Sequence, residues 1–336
     1  MPKATAPQFS PEVLRLDEAV EVARIGARLR EILRTDLHRR GLIIAISGGV
    51  DSAVCAALCV QAIGKDKVFG LLLPERDSSS DSMRRGKMIA EQLGIEYLAE
   101  DIAPTLEAIG CYRWRDAAIR KEFPDYAADW KSKIVIASGS EAKFSFFKIV
   151  VQSPDGQTRE ARLGAPEYLQ IVAATSFKQR IRKTIEFFHA DRLNYAVVGT
   201  PNRLEYDQGF FVKNGDGSAD VKPIAHLYKT QVYALARHLK LPDEICNAKP
   251  TTDTYSMPQG QDEFYFALPY DRMDLALWAH NHQVPAAELA RVLDIELKQA
   301  EHVYSDIENK RRTTRVLHLP PVLIEPVTEI KLAKGA

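Results

Sequence analysis

The chain has 336 residues, 46% of them hydrophobic and 27% charged, and its 45 basic side chains are matched by 45 acidic ones. That length carries one large domain, or one domain with an appendage. Balanced charge excludes an electrostatic case for nucleic acid or an anionic membrane as the main partner.

Four cysteines (Cys55, Cys59, Cys111, Cys246) stand without CxxC spacing, so Cys55 and Cys59 read as buried thiols rather than metal ligands. No apolar run approaches a membrane span, and the opening MPKATAPQFSPEV lacks the apolar core of a secretory leader. A reducing, cytoplasmic setting is the expectation.

In chain order, residues 1–10 read as a loose tail. From Pro11 to Arg40 a helical stripe runs through Val13, Leu16, Val20, Ile25, Leu29 and Leu33, with Ser10 as its cap and Pro11 as its first residue. LIIAI (42–46) is a short buried strand, followed by the turn SGGVDS (47–52) and an Ala-rich helix to about Ile63. Residues 67–74 form a second strand, 80–94 a helix ending at Gly94, and 95–101 a third strand. Residues 175–193 make a further helix and 194–200 a further strand. Strand and helix alternating at this spacing predict an α/β fold with a doubly wound parallel sheet.

Between Asp101 and Thr175 the rhythm breaks. There KFSFFKIVVQSPDGQTREARL (143–163) predicts a β-hairpin turning at SPDG, an inserted module within about 110–165. After Asp253 the chain is helical and polar, ending Pro-rich. The expected organisation is a tail (1–10), a catalytic domain (11–285) carrying the insertion, and a helical C-terminal extension with a Pro-rich tail (286–336).

The turn 47–52 holds two glycines, two serines and a carboxylate where a strand meets a helix. Backbone N–H groups and a helix N-terminus there make an anion site at the sheet's C-terminal edge. The turn is neither GxxxxGK[ST] nor GxGxxG. Ser47 and Ser52 can donate to phosphate oxygens, whereas Asp51 would repel them unless a divalent metal intervenes. A phosphate nest with its own carboxylate therefore implies Mg²⁺-pyrophosphate chemistry, and a merely structural turn would leave Asp51 costly to desolvate.

SGGVDS resembles the pyrophosphate-binding loop of the N-type ATP pyrophosphatases. The stretch VVGTPNRLEYDQGFFVKNGDGSADVKPIAHLYKTQVYALARHL (197–239), with KPTTDTYSMPQGQDEFYFALPYDRMD (249–274), resembles the central blocks of the NAD synthetase family, ammonia-dependent type. FKQRIR and LLLPERDSSSDSM resemble that family's further segments, so the likeness covers about residues 30–280 around the insertion. It implies an adenine nucleotide alpha hydrolase-like, Rossmann-like fold. It also implies ATP-dependent amidation of deamido-NAD by ammonia, through an adenylated carboxylate, with AMP and pyrophosphate released.

Carried over by residue, the resemblance assigns Ser47, Gly48, Gly49, Val50, Asp51, Ser52, Thr200, Lys229 and Thr251 to ATP, and Asp51 and Glu205 to Mg²⁺. It assigns Asp51, Lys229 and Thr251 to catalysis, and Arg180, Lys213 and Asp220 to deamido-NAD. Family members are usually homodimers, and helices within 11–33 and 264–280 could form that contact. About forty residues precede the loop strand, too few for a fused glutaminase, so free ammonia is expected, with a separate docking glutaminase as the alternative.

Without the resemblance, Lys229 and Arg180 could be surface helix charges and KNGDGSAD plain turn chemistry. His189 and His226 read as helix or core histidines. Phe264, Tyr265, Phe266 and Tyr270 read as core or interface rather than a stacking platform. Two departures from the family stand out: the insertion, and NKRRTTRVLHLPPV (309–322), where Lys310, Arg311, Arg312 and Arg315 supply positive charge but no C-terminal His-Lys pair stands, His318 being too far along to be assigned. Both leave open a relative that amidates another carboxylate, or a non-catalytic nucleotide binder. Neutral charge speaks against tRNA modification.

Overall fold

The structure, a computed structural model, describes residues 9–137, 146–248, 255–257, 260, 265–266 and 268–330. Four parallel strands form the central sheet: β1 (Leu42–Ala45), β2 (Val68–Leu72), β3 (Glu96–Ala99) and a strand late in the chain, Ala196–Val197, in the order β3-β2-β1 followed by that late strand. β1 is central because LIIA can be buried on both faces. Leu42 and Ile44 enter one core with Val68, Leu72 and Ala196, while Ile43 enters another with Phe69, Leu71 and Val197. That period of two sorts the helices into two layers.

On the first face lie α1 (Glu18–Glu31), α2 (Val50–Ile63) and α3 (Ser80–Leu93). α2 is buried nearly all round, with Cys55 and Cys59 fully enclosed as expected of thiols in a core. α1 differs from the predicted single helix. Pro11–Leu14 make one isolated turn, and the helix restarts at Glu18 because Asp17 accepts a 3.0 Å hydrogen bond from the Val20 N–H. Ser10 makes no side-chain cap. α3 ends at Gly94 in the left-handed region, as its sequence required.

On the second face pack α4 (Ala103–Ala108), α5 (Cys111–Ile119) and the long α6 (Ala165–Leu193). α6 begins ten residues before its predicted start at Thr175, with Gly164 and Pro166 opening it. Its added turns pack Ile171, Tyr168 and Val172 on the inserted module. That module is a three-stranded antiparallel sheet rather than a hairpin: β4 (Lys131–Ala137) precedes β5 (Phe146–Gln152) and β6 (Thr158–Arg162). With these numbered, the last strand of the central sheet, Ala196–Val197, is β7.

Beyond β7 come α7 (Arg203–Gln208), α8 (Lys229–His238) and α9 (Asp243–Cys246). Three helices then follow: α10 (Tyr270–Asn281), α11 (Ala286–Leu293) and α12 (Leu297–His318). These last three bury a separate core with Phe9, Leu14, Leu204 and Tyr228. The apolar positions of α1 and α10 proposed for a subunit contact, Ile25, Leu29, Met273 and Leu277 among them, are used within the chain. Among the described residues no helix is long and apolar enough to cross a membrane.

Candidate active site

The turn after β1 is built by its own serines. The Ser52 hydroxyl accepts from the Ser47 N–H (3.2 Å) and donates to the Gly49 carbonyl (3.0 Å), and the Ser47 hydroxyl accepts from the Gly49 N–H (3.3 Å). Gly49 caps α2 without a side chain, so the first-turn N–H groups of Val50, Asp51 and Ser52 have no intrahelical partner, an arrangement chemically suited to an anion. Gly48 sits behind the turn. Its φ is +82°, and a Cβ there would meet the Ser82 carbonyl oxygen at 2.4 Å. Gly86 completes this close approach from α3, where a Cβ would lie 3.0 Å from the Ile46 carbonyl oxygen.

Asp51, on the first turn of α2, makes two contacts: Oδ1 accepts from Asn202 Nδ2 at 3.1 Å, and Oδ2 pairs with the Lys229 ammonium. Asn202 caps α7, its Oδ1 accepting from the Leu204 and Glu205 N–H groups, and its own N–H donates to Glu205 Oε2 at 3.2 Å. One buried residue thus ties together two carboxylates that arrive at the ends of neighbouring strands, Asp51 through its side-chain amide and Glu205 through its backbone N–H. Lys229 opens α8 and its side chain is 3% exposed. Burial pulls its ammonium down, but the Asp51 and Glu205 carboxylates outweigh that and hold it well above the ordinary lysine value.

A cavity of about 650 Å³ opens on this cluster. Ser47, Gly49, Val50, Asp51, Ser52, Thr200, Glu205 and Lys229 line it together. Of the expected ATP residues, Gly48 is not in the lining, and Thr251 lies outside the described residues. Farther along, the cavity is lined by Arg182, Lys183, Glu186 and Asp216. Lys183 and Glu186 form a buried 2.7 Å ion pair, and burial raises the Glu186 and Asp216 carboxyls. Aromatic side chains, Phe147, Tyr168, Phe210, Tyr255 and Tyr265 among them, share its remaining walls with aliphatic and polar residues.

The three residues expected to hold the dinucleotide do not line the cavity. Arg180 is exposed, its Nε donating to the Lys213 carbonyl (3.3 Å). The Lys213 ammonium closes the end of α12 on the Val316 and Leu319 carbonyls (2.8 and 3.2 Å). Asp220 accepts from the Val197 N–H at 2.7 Å and secures the edge of β7.

Of the cations near the C-terminus, Lys310 reaches the cavity, beside Thr313, and it is bonded to Asp306 and the Tyr265 carbonyl. Arg311 is bidentate to Asp207 (both 2.8 Å) and His318 packs edge-on to Tyr206 and Phe211. His189 is a core residue against Phe69, whereas His226 lies half-exposed beside Glu21 (2.7 Å), outside any helix. Tyr265 and Phe266 are packed against Phe210.

Sequence reasoning missed Asn202 as the joint of the site. The N-x-x-E spacing from Asn202 to Glu205 is the signal that could have found it, since it is a capping-box pattern. It also missed Asp274 on α10, which is wholly buried and accepts from the Thr230 N–H (2.7 Å) on the first turn of α8. Burial raises that carboxyl to about 7.

Comparison with known proteins gives consistent results. A family model described as NAD synthase matches residues 21–125 and 142–315. The NH(3)-dependent NAD(+) synthetase of Rhizobium meliloti (strain 1021) is 56% identical over 96% of this chain and 97% of its own. Among solved structures, the NH3-dependent NAD synthetase of Campylobacter jejuni superposes with a TM-score of 0.60 at 20% identity, covering 92% of this chain and all of that one. An NMN synthetase from Francisella tularensis gives 0.57, also at 20%, covering 93% and 100%. The two structures share the fold.

Proposed function

The chain belongs to the NAD synthase family, and from that premise and the geometry above we propose that it is an ATP-dependent ligase that amidates deamido-NAD with ammonia. The observation that carries the reading is the Asp51–Asn202–Glu205–Lys229 cluster at the helix N-terminus of the serine-glycine turn. In this reaction the substrate carboxylate attacks the α-phosphorus of ATP, the bond to pyrophosphate breaks, and ammonia then displaces AMP from the acyl-adenylate.

The residues divide the work by charge. The N–H groups of the first turn of α2 and the hydroxyls of Ser47 and Ser52 receive the β- and γ-phosphates. Lys229, held cationic by its carboxylate neighbours, stabilises charge as it gathers on the leaving pyrophosphate. Its ammonium arrives already desolvated and fixed, so little reorganisation is needed during the reaction. Thr200 and Thr251 take contacts to the nucleotide in this reading.

The donor set fits Mg²⁺. Among the described residues no cluster of three or more His, Cys, Asp or Glu side chains could hold a metal by itself. Two carboxylates completed by phosphate oxygens are the usual surroundings of this ion. Asp51 and Glu205 would hold it, and it would supply Lewis-acid neutralisation of the phosphates. Lys229, beside both carboxylates, would meet the phosphates from the same side.

Arg180, Lys213 and Asp220 are assigned to the dinucleotide, and a substrate lying across a surface shared by two copies would reach them from outside the cavity. A homodimer in the cytoplasm using free ammonia completes the reading, with no glutaminase required. The likeness to an NMN synthetase favours one second reading, in which the acid is a mononucleotide. Purified protein with ATP, Mg²⁺, ammonium and deamido-NAD should form NAD and AMP one for one. AMP without NAD would reject deamido-NAD, and turnover of a mononucleotide acid in its place would establish the second reading.

A further inference from the structure

The family match is interrupted at residues 126–141, and that gap contains β4. The strand pairs along the whole of β5, from Lys131 opposite Gln152 to Ala137 opposite Phe146. Its Ser132 also holds a distant segment. The Ser132 N–H donates to the Ser256 hydroxyl (2.8 Å), the Met257 N–H donates to the Ser132 carbonyl (3.3 Å), and Tyr126 donates its hydroxyl proton to Ser132 Oγ (3.3 Å). Ser132 is 2% exposed, so without this segment a buried donor and a buried acceptor would be left unmade.

What the anchoring fixes is Tyr255. Its ring is buried in one cluster with Ile134, Ile149 and Ile171, and it lines the cavity that holds Asp51 and Lys229. Beside it Phe147 of β5 and Tyr168 of α6 stack with ring centroids 3.9 Å apart, and both also line the cavity. The wall they make with Val172 carries apolar ring faces, while the charged groups that α6 gives the cavity, Arg182, Lys183 and Glu186, lie at least ten residues farther along that helix.

We propose that β4 is a specificity element: through Ser132 it fixes Tyr255, and Tyr255, Phe147 and Tyr168 form a wall that stacks the heterocycle of a nucleotide substrate. The chemistry recognised is a flat aromatic base attached to phosphate, which the phosphate turn of the same cavity receives. This rests on the proposed function, where two substrates carry such rings, ATP and deamido-NAD. Ser132 and Ser256 are positioning residues, and Tyr255 is the contact.

The test is equilibrium binding of each nucleotide, with Mg²⁺, to the intact protein and to Tyr255→Leu, Tyr255→Phe and Ser256→Ala, alongside KM, kcat and melting temperature. Base stacking on an aromatic side chain predicts that Tyr255→Leu weakens one nucleotide by roughly fivefold or more. Ser256→Ala should shift the same nucleotide in the same direction, Tyr255→Phe should restore it, and KM should move more than kcat. The nucleotide affected identifies which ring stacks. If folded Tyr255→Leu binds both nucleotides within twofold of the parent and only its melting temperature falls, the wall is a brace and the proposal is overturned. If the parent binds nucleotides but makes no NAD, the proposed function fails while the stacking comparison still reads out.

Discussion

Replacing Asp51 with Asn separates the charge of the site from its shape. Asn keeps the volume and can still accept from Asn202 Nδ2, which now lies 3.1 Å from Oδ1. It removes the anion beside the Lys229 ammonium, whose side chain is 3% exposed while that of Asp51 is 17% exposed. Breaking a buried ion pair costs about 3–5 kcal/mol. Glu205 still supports the cation, and Asp51 has some solvent, so the expected loss is nearer ~2–3 kcal/mol, a fall of several degrees in melting temperature. Catalysis should suffer more. Loss of a charged contact that serves the departing pyrophosphate predicts a kcat reduced by about 10²–10³. The assay follows AMP and NAD together at saturating ATP, Mg²⁺, ammonium and deamido-NAD, with a thermal melt on the same sample. A folded Asp51→Asn protein whose Mg²⁺-dependent turnover equals that of the parent would refute the role.

Gly48→Ala should weaken ATP binding by about tenfold or more, because the new methyl group meets the Ser82 carbonyl and φ is +82°; titration with ATP checks it, and unchanged affinity counts against the tight turn. Asn202→Ala removes the α7 cap and the hydrogen bond to Asp51 together, so it should cost about 1–2 kcal/mol in a denaturant melt and lower kcat as well. A stability loss with full activity would reduce Asn202 to a cap. Asp274 gives a pH prediction. Its folded carboxyl titrates near 7, above the unfolded value of about 3.9. Its contribution to stability is therefore fully present below pH 4, is lost as the pH rises toward 7, and is constant beyond. Asp274→Asn, which keeps an acceptor for the Thr230 N–H, should be more stable relative to the parent at pH 8 than at pH 4, with a ceiling of about 4 kcal/mol. Parallel melting curves at the two pH values test this, and an equal difference at both would refute it.

Much of the site was legible because the turn concentrates its chemistry in six adjacent residues. Ser47, Gly49, Val50, Asp51 and Ser52 line one cavity with Thr200, Glu205 and Lys229, although 151 residues separate Asp51 from Asn202 and 178 separate it from Lys229. Asn202 was less legible, since its two uses, capping α7 and bonding Asp51, coincide only once β1 and β7 pair. Asp274 could not be found by pattern alone. An acid within YDRMD has no periodic signature, and its isolation comes from packing against α8. Arg180, Lys213 and Asp220 show the opposite limit, for a motif match carries no information on which side of the cavity wall a side chain lies.

The sequence by itself determined the central α/β layers. Unbroken apolar runs in LIIA and VFGLL suit strands covered on both faces, as in a parallel sheet between helix layers, and the glycine turn follows at the strand's end. The buried thiols, the stop of α3 at Gly94 and the serine-glycine turn at the start of α2 follow from the same local rules. Tertiary structure decided the rest. It added β4 to the predicted hairpin and drew Tyr255 against it, lengthened α6 by packing its first turns on that sheet, and split α1 where Asp17 could cap. Each outcome depends on partners distant in sequence, whose burial supplies free energy that no local propensity contains.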